Sequence, residues 1–547
     1  MIQEVKLDLE TTKFARKGET DFLRSAIRLG WALLILCGTI QALFFASIIN
    51  LLCVAAVILG WVVLIKVFLR TSMLSTYPLS TFLIIAFVTT QLYLPLLFTT
   101  LEGKSLINNL ELPEQVFFHT IAQLGILVLF HAFYRLLSRM SDRRSFSVLA
   151  KTGFFTPPTH LQLWAMGVIG IASTFYIYFT GTDTGWEITG SPTEKAIQAL
   201  MPFAYAPFFI PFGELYGNYQ KKSKRIVLYL LLFAVALFAT SMGRNSRGAF
   251  MFGFTSVGFG YMLGLLLGVY KTRFFTVRNV FFTAILFWLL VGPVADIGTA
   301  MVIVRDDRER LELTGGELLD RTLETYWDKD AIIARRLEDN NFAPEPDWDE
   351  RYLDNIFIAR FANIKYNDMS LVQYNKLRQY DPDMLNYSID YLLSQFPDPI
   401  LKALDLDVDK ETVLDLSFGD YIYLAAGGNG VAHGYRTGHF AGTGMATFGW
   451  WYLFILGVAM LPVFWLFDKF FMKKNSKNIS DQPDRIKYQF SFCGMLALTS
   501  IFQFLPPESV VNIGVFLFRG YLQLVILYFV VFHATRLVTA PKKLRWR

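Results

Sequence analysis

Four short stretches carry residues that could do chemistry in an otherwise apolar chain. The first is Met242-Gly-Arg-Asn-Ser-Arg-Gly248, a tight turn between two apolar runs. Its Arg244 and Arg247 can match phosphate oxygens with their guanidinium forks, and Gly243 and Gly248 permit backbone to approach a ligand closely. The pair reads as a phosphate clamp, or else as contacts with lipid headgroups or acidic neighbours. The second is Arg519, inside the last apolar run. A charge at that depth is costly and faces protein interior or an aqueous cavity. A structural pair with Asp296 and a role in holding a lipid diphosphate are both open to it. The third is Gly427–Gly444, glycine-rich and bearing His433, Arg436 and His439. Histidine titrates near neutral pH and can exchange protons or bind phosphate; the plainer alternative is a flexible connector. A His-x5-His spacing suits a helical zinc pair poorly, and the stretch itself has no carboxylate. The fourth is Arg305-Asp-Asp-Arg-Glu-Arg310. Its alternating signs suit local salt bridges on a solvated helix, and Arg305 and Arg308, one turn apart, can extend an anion-binding rim. His119, His131, His160 and His533 lie in apolar runs or their flanks and read as packing or interfacial residues.

The elements that must position these groups are membrane spans. Of 547 residues, 54% are hydrophobic and 18% charged, and the mean hydropathy is +0.39. This excludes a disordered, nucleic-acid-binding or ordinary cytosolic protein. Cys37, Cys53 and Cys493 lie in apolar runs, so neither a disulfide framework nor a cysteine zinc site is expected. A spanning helix needs about 20 mostly apolar residues, and about twelve such runs occur. They are Trp31–Ile49, Leu51–Leu69, Pro78–Thr99, Val116–Leu137, Leu161–Thr180, Gln198–Gly217, Ile226–Met242, Gly248–Tyr270, Asn279–Ile303, Gly442–Phe467, Tyr488–Leu505 and Val510–Val531. The first two share one apolar stretch turned near Asn50, and the sixth is rich in proline.

Lysine and arginine set the orientation. About 31 of the 51 basic residues fall in the N-terminal tail, the C-terminal tail and every second connection, which marks that face as cytoplasmic. The basic lead before the first span is long and no small-residue cleavage site follows, so a cleaved signal peptide is not expected. The other face has short loops and one long connection. That segment, 304–441, holds 15 basic and 27 acidic residues, a net of −12, against +18 for the remainder. The expected plan is therefore all-α and polytopic, with a large, mainly helical extracytoplasmic loop. Its parts are a basic cytoplasmic tail (1–30), spans one to nine (31–303), an acidic cap (304–441), spans ten to twelve (442–533) and a second basic tail (534–547). There is no internal repeat.

In architecture, in the Gly243–Gly248 turn and in the His/Arg-bearing Gly427–Gly444 segment, the chain resembles the Wzy-type repeat-unit polymerases of bacterial cell-surface polysaccharides, relatives of the O-antigen ligases. The resemblance implies an inner-membrane enzyme with both termini cytoplasmic and its large loop periplasmic or extracellular. It implies transfer of a glycan from a polyprenyl diphosphate to a sugar hydroxyl of a lipid-linked repeat unit, with no cofactor. Arg244, Arg247 and Arg519, with Arg305 and Arg308 as a rim, would hold the diphosphate. His433 or His439 would take the hydroxyl proton, with Arg436 on diphosphate or sugar; a cap carboxylate is the alternative base. Implied partners are the lipid-linked glycan and membrane lipid, with a chain-length regulator and a flippase as candidates and no nucleic acid.

Rival readings are a ligase that transfers finished glycan and a glycosyltransferase using a monosaccharide-phosphate lipid. The latter is disfavoured because the first outer connection, around Asn50, has no carboxylate. In a different class stand a transporter or flippase and a non-enzymatic scaffold. Against transport, the halves show no repeated pattern and the long cap lies on one side only.

Overall fold

The computed structural model describes residues 2–140, 148–177, 196–242, 247–270, 277–311, 315–341, 348–377, 380–396, 398–429, 436–473 and 488–539. Helix is nearly all of its secondary structure. A segment in lipid finds no water for its N–H and C=O groups, and a helix satisfies them internally. The strands among the described residues, Phe471–Lys473 and Tyr488–Phe490, form one short antiparallel pair with Phe471 opposite Phe490.

Among the described residues, seven helical stretches are long and apolar enough to cross a membrane: Phe22–Phe44, Ile48–Phe68, Pro78–Leu101, Pro113–Ser138, Ala196–Tyr216, Trp451–Asp468 and Val511–Thr539. Shorter apolar helices include His160–Phe175 and Ile226–Thr240. Their outward faces are apolar. Val227, Leu228, Leu231, Leu232 and Val235 on one helix and Leu522, Ile526 and Val530 on another are all exposed. Continuous apolar surface of this kind is unfavourable in water and at home in lipid. The chain is an all-α membrane protein.

The expected turn near Asn50 lies between helices Ile2–Phe44 and Ile48–Val63, where the Ser47 side chain accepts the Asn50 N–H. Several expected spans are not single helices. Gly442–Phe467 is divided at Gly449, whose φ of +55° ends an entry helix, Phe440–Phe448, before Trp451–Asp468 begins. Tyr488–Leu505 is a strand followed by the one-turn helices Phe492–Leu496 and Leu498–Phe502. The proline-rich sixth run winds as a 3-10 helix over Met201–Phe212, because Pro207 and Pro211 remove donors that an α-helix needs. The ninth is interrupted by a π-helical turn, Leu290–Val294, that contains Pro293.

The acidic segment 304–441 is woven into the body. Its inner helix, Ile364–Leu377, is polar in sequence, yet Ile364, Lys365 and Asn367 to Gln373 are buried. It packs on the entry helix and on Pro113–Met140. A Cβ on Gly442 of the entry helix would lie 2.2 Å from the Ser370 carbonyl, so the two backbones meet directly. Polar burial on this scale requires partners. Lys365 pairs with Asp368 at 2.8 Å. Asp368 also accepts the N–H groups of Glu111 (3.0 Å) and Leu112 (2.8 Å), just before Pro113 opens the long helix. These are helix-start donors with no partner inside the helix, and a carboxylate there also suits the helix dipole. A second, smaller core joins Trp348, Met369, Met384, Tyr387, Phe418, Ile422, Tyr423 and Ala446.

Candidate functional site

Two glycines let three distant segments touch. A Cβ on Gly419 would stand 2.2 Å from the Arg436 carbonyl oxygen, and one on Gly438 would stand 3.3 Å from the Glu508 carbonyl oxygen. The helix Phe418–Ala425, the end of the glycine-rich stretch and the 505–509 loop therefore converge. Ser417 caps that helix by accepting the Asp420 N–H at 2.9 Å, and its hydroxyl lies 2.7 Å from the Arg436 carbonyl, to which it donates. Phe440 N–H donates to the Pro507 carbonyl and the Thr443 hydroxyl to that of Glu508, at 3.2 and 2.9 Å. These bonds tie the loop to the start of the entry helix.

Three carboxylates surround this junction. Arg436 is 4% exposed. It donates from Nη1 to Asp420 Oδ1 at 2.9 Å and lies over the Tyr423 ring, 4.0 Å from its centroid. Glu350 accepts the Thr437 N–H at 2.7 Å and the Trp348 indole N–H at 3.1 Å. Glu508 accepts the Phe418 N–H through Oε2 at 3.2 Å. Burial, then the charges of Asp420 and Glu350, push the Glu508 carboxyl up to about 7, although its hydrogen bond from Phe418 works against them. Burial also raises Glu350, partly offset by the hydrogen bonds from Thr437 and Trp348. Removing a carboxylate from water penalises its charged form, and like charges add to the penalty. Glu508 is thus a half-buried acid poised near neutral pH, as a general base should be.

Of the sequence candidates, Arg436 and His439 are brought here, but in supporting positions. His439 is fully buried and caps the entry helix, its Nδ1 accepting the Ala441 N–H at 3.1 Å. The proton of the neutral ring then sits on Nε2, which makes that atom a donor. Burial pushes this imidazole down to about 3, so it stays neutral at physiological pH. Its Nε2 has no hydrogen-bond partner among the described residues. Arg436 is engaged by Asp420 in a buried pair.

Arg519 does not pair with Asp296. It sits in a π-helical turn, Phe516–Gly520, and donates to Gln395 Oε1 of the cap at 3.0 Å. Asp296 pairs with Lys329 instead, at 3.1 Å. The wider turn swings Arg519 outward toward the cap, as π-turns at functional positions often do. Tyr391 lies within electrostatic reach of both groups. Burial and Glu508 raise its hydroxyl, and Arg519 lowers it.

Arg244 and His433 lie outside the described residues. Arg247 opens the helix Arg247–Leu266, and Arg305 and Arg308 belong to Ala295–Leu311; their side chains also lie outside the description. His119 stacks on Trp450 with ring centroids 4.9 Å apart and bonds the Tyr452 hydroxyl at 2.7 Å; His131 bonds Ser80 at 3.1 Å. Both are packing groups.

The sequence did not point to Glu508, and it left Glu350 and Asp420 unsorted among the cap carboxylates. One signal was available for Glu508, a lone carboxylate in a short loop directly after Pro506 and Pro507. Among the described residues no three His, Cys, Asp or Glu side chains gather to hold a metal ion. Comparison with family models, curated proteins and solved structures finds no match to the chain.

Proposed function

We propose that the protein is a membrane glycosyltransferase that polymerises lipid-linked oligosaccharide repeat units. It takes glycan from a polyprenyl diphosphate and passes it to a sugar hydroxyl at the outer face of a bacterial cytoplasmic membrane. Twelve membrane passes, cytoplasmic termini and an extracytoplasmic cap belong to this reading. The observation that carries it is Glu508, a half-buried carboxyl group held near neutral pH; Arg519 of the last span reaches Gln395 of the cap, and Tyr391 lies within electrostatic reach of both.

In this mechanism Glu508 accepts the proton of the acceptor hydroxyl as its oxygen attacks the anomeric carbon. The bond from that carbon to the diphosphate oxygen breaks, and the electron pair leaves on the diphosphate. Arg519, with Arg244 and Arg247, neutralises the charge that develops there. Arg436 and Asp420 fix the backbone against which Glu508 rests. His439 holds the start of the entry helix, and Arg305 and Arg308 remain candidates for the rim.

The test is reconstitution of purified protein with polyprenyl-diphosphate-linked repeat units, with product length read by gel or mass analysis. A ladder of longer lipid-linked glycans is expected. Movement of the substrate across the bilayer without lengthening would overturn the proposal in favour of transport. Attachment of finished glycan to a second acceptor without lengthening would favour the ligase.

A further inference from the structure

A cleft of about 520 Å³ opens in the cap on the far side of Tyr421. Tyr380, Asp381, Asp383 and Tyr421 supply its polar and aromatic lining, and Leu377 and Leu424 part of its apolar wall. The volume falls in the usual range for a small-ligand site, about 300–1,000 Å³.

Its chemistry is selective. Tyr380 is 44% exposed and presents ring surface to solvent. Tyr421 is held rigidly by stacking on Tyr387, with centroids 4.0 Å apart and planes 13° from parallel. Asp381 is fixed as a helix cap, its Oδ1 accepting the Asp383 N–H at 3.0 Å. Neither Asp381 nor Asp383 has an ion-pair partner among the described residues, so both can accept hydrogen bonds from a ligand. Rings offer a face to C–H groups, and carboxylates accept O–H donors; a sugar ring carries both. An anionic ligand would be repelled. A metal ion would meet only two carboxylates here.

The cleft is also joined to the Glu508 site. Tyr387, beneath Tyr421, meets Phe418 edge-on with centroids 5.2 Å apart, and the Phe418 N–H is the donor to Glu508. One layer of aromatic side chains separates the two.

We infer that this cleft binds one or two uncharged sugar residues of the acceptor glycan, with Tyr380 and Tyr421 as platforms and Asp381 and Asp383 as hydroxyl acceptors. The acceptor role rests on the proposed glycosyl transfer; sugar binding itself does not. Seated there, the glycan can run past the aromatic layer toward Glu508.

The test uses full-length protein in nanodiscs and saturation-transfer NMR. Probes are neutral oligosaccharides from mild acid hydrolysis of the host's surface polysaccharide, a lysine-rich peptide and calcium chloride. Saturation is expected on sugar C–H protons, with affinity falling about tenfold or more in Tyr421→Ala and in the exposed Asp383→Asn, a loss in line with one stacked ring or charged hydrogen bond. Glu508→Gln should leave sugar binding unchanged. No transfer at millimolar sugar would overturn the inference. So would binding untouched by both cleft variants, or displacement of sugar by the peptide or calcium at equimolar concentration. Sugar binding with no chain extension would retain the cleft as a glycan site while removing the polymerase reading.

Discussion

Two carboxylates lie toward opposite ends of the Trp451–Asp468 helix and its entry helix, and they are treated very differently. Asp468 accepts the Leu79 and Ser80 N–H groups, both at 3.2 Å, through Oδ1. Its Oδ2 accepts the Ser80 hydroxyl at 2.7 Å and the Tyr134 hydroxyl at 2.9 Å. It caps the helix that opens at Pro78, much as Asp368 caps the one that opens at Pro113. Glu508 accepts a single hydrogen bond among the described residues and faces two further acids. The saturated carboxylates pin helices. The undersupplied one is left with a proton affinity that chemistry can use. Burial raises Glu508 and its single donor offsets that only in part, whereas the donor sets of Asp468 and Asp368 suit those acids to capping helices.

The largest effect is expected from removing a saturated acid, Asp368. Asp368→Ala strands Lys365 in the interior and frees two helix-start N–H groups. A loss of about 3–5 kcal/mol is expected, as for breaking a buried pair, read as a lower thermal midpoint and poor recovery of folded protein. Recovery like that of the parent protein would mean that the pair is dispensable.

Next in size are the arginines of the proposed clamp. Arg244→Ala and Arg247→Ala should each slow chain extension by about 10²–10³-fold, the usual effect of losing one oxyanion donor, with folded protein retained. Full activity in both would remove the clamp from the mechanism.

Glu508 should also mark stability. Its carboxyl is raised in the folded chain from an ordinary 4.5 to about 7, so the unfolded chain releases the proton first as pH rises. Stability falls between those two values and levels off above them, by up to about 3 kcal/mol. Glu508→Gln should flatten this decline in the thermal midpoint. An unchanged slope would show that another group titrates.

The smallest effect sharpens the packing side. Gly442→Ala must push the entry helix off Ser370, at about 1–3 kcal/mol. A midpoint within error of the parent would show that the helices can separate without penalty.

Much of the frame was legible in the sequence, because length and hydropathy report lipid burial directly. The turn at Asn50 followed from local residue types. Breaks within apolar runs did not, since Gly449 reveals its positive φ only through its surroundings. The inner helix was hidden too: Lys365, Asn367 and Asp368 are residue types that ordinarily face water, and their burial is matched by the Lys365–Asp368 pair together with partners remote in sequence such as Leu112 and Thr120. Glu508 was overlooked for the same reason. Its raised proton affinity comes first from burial and then from Asp420 and Glu350, 88 and 158 positions away. The expectation of a histidine base followed side-chain identity; His433 lies outside the described residues, and the fold gives His439 a capping role in a setting that holds it neutral.

Whether Glu508 is the base in chain extension is decided by the reconstituted reaction. Initial rates of glycan lengthening should be measured for the parent protein and Glu508→Gln from pH 5 to 9. The parent rate is expected to rise tenfold per pH unit below about 7 and then level, and the variant to be slower by about 10²–10⁴-fold while folding and binding lipid-linked substrate normally. A folded Glu508→Gln that extends chains at the parent rate, with the same pH profile, would contradict it.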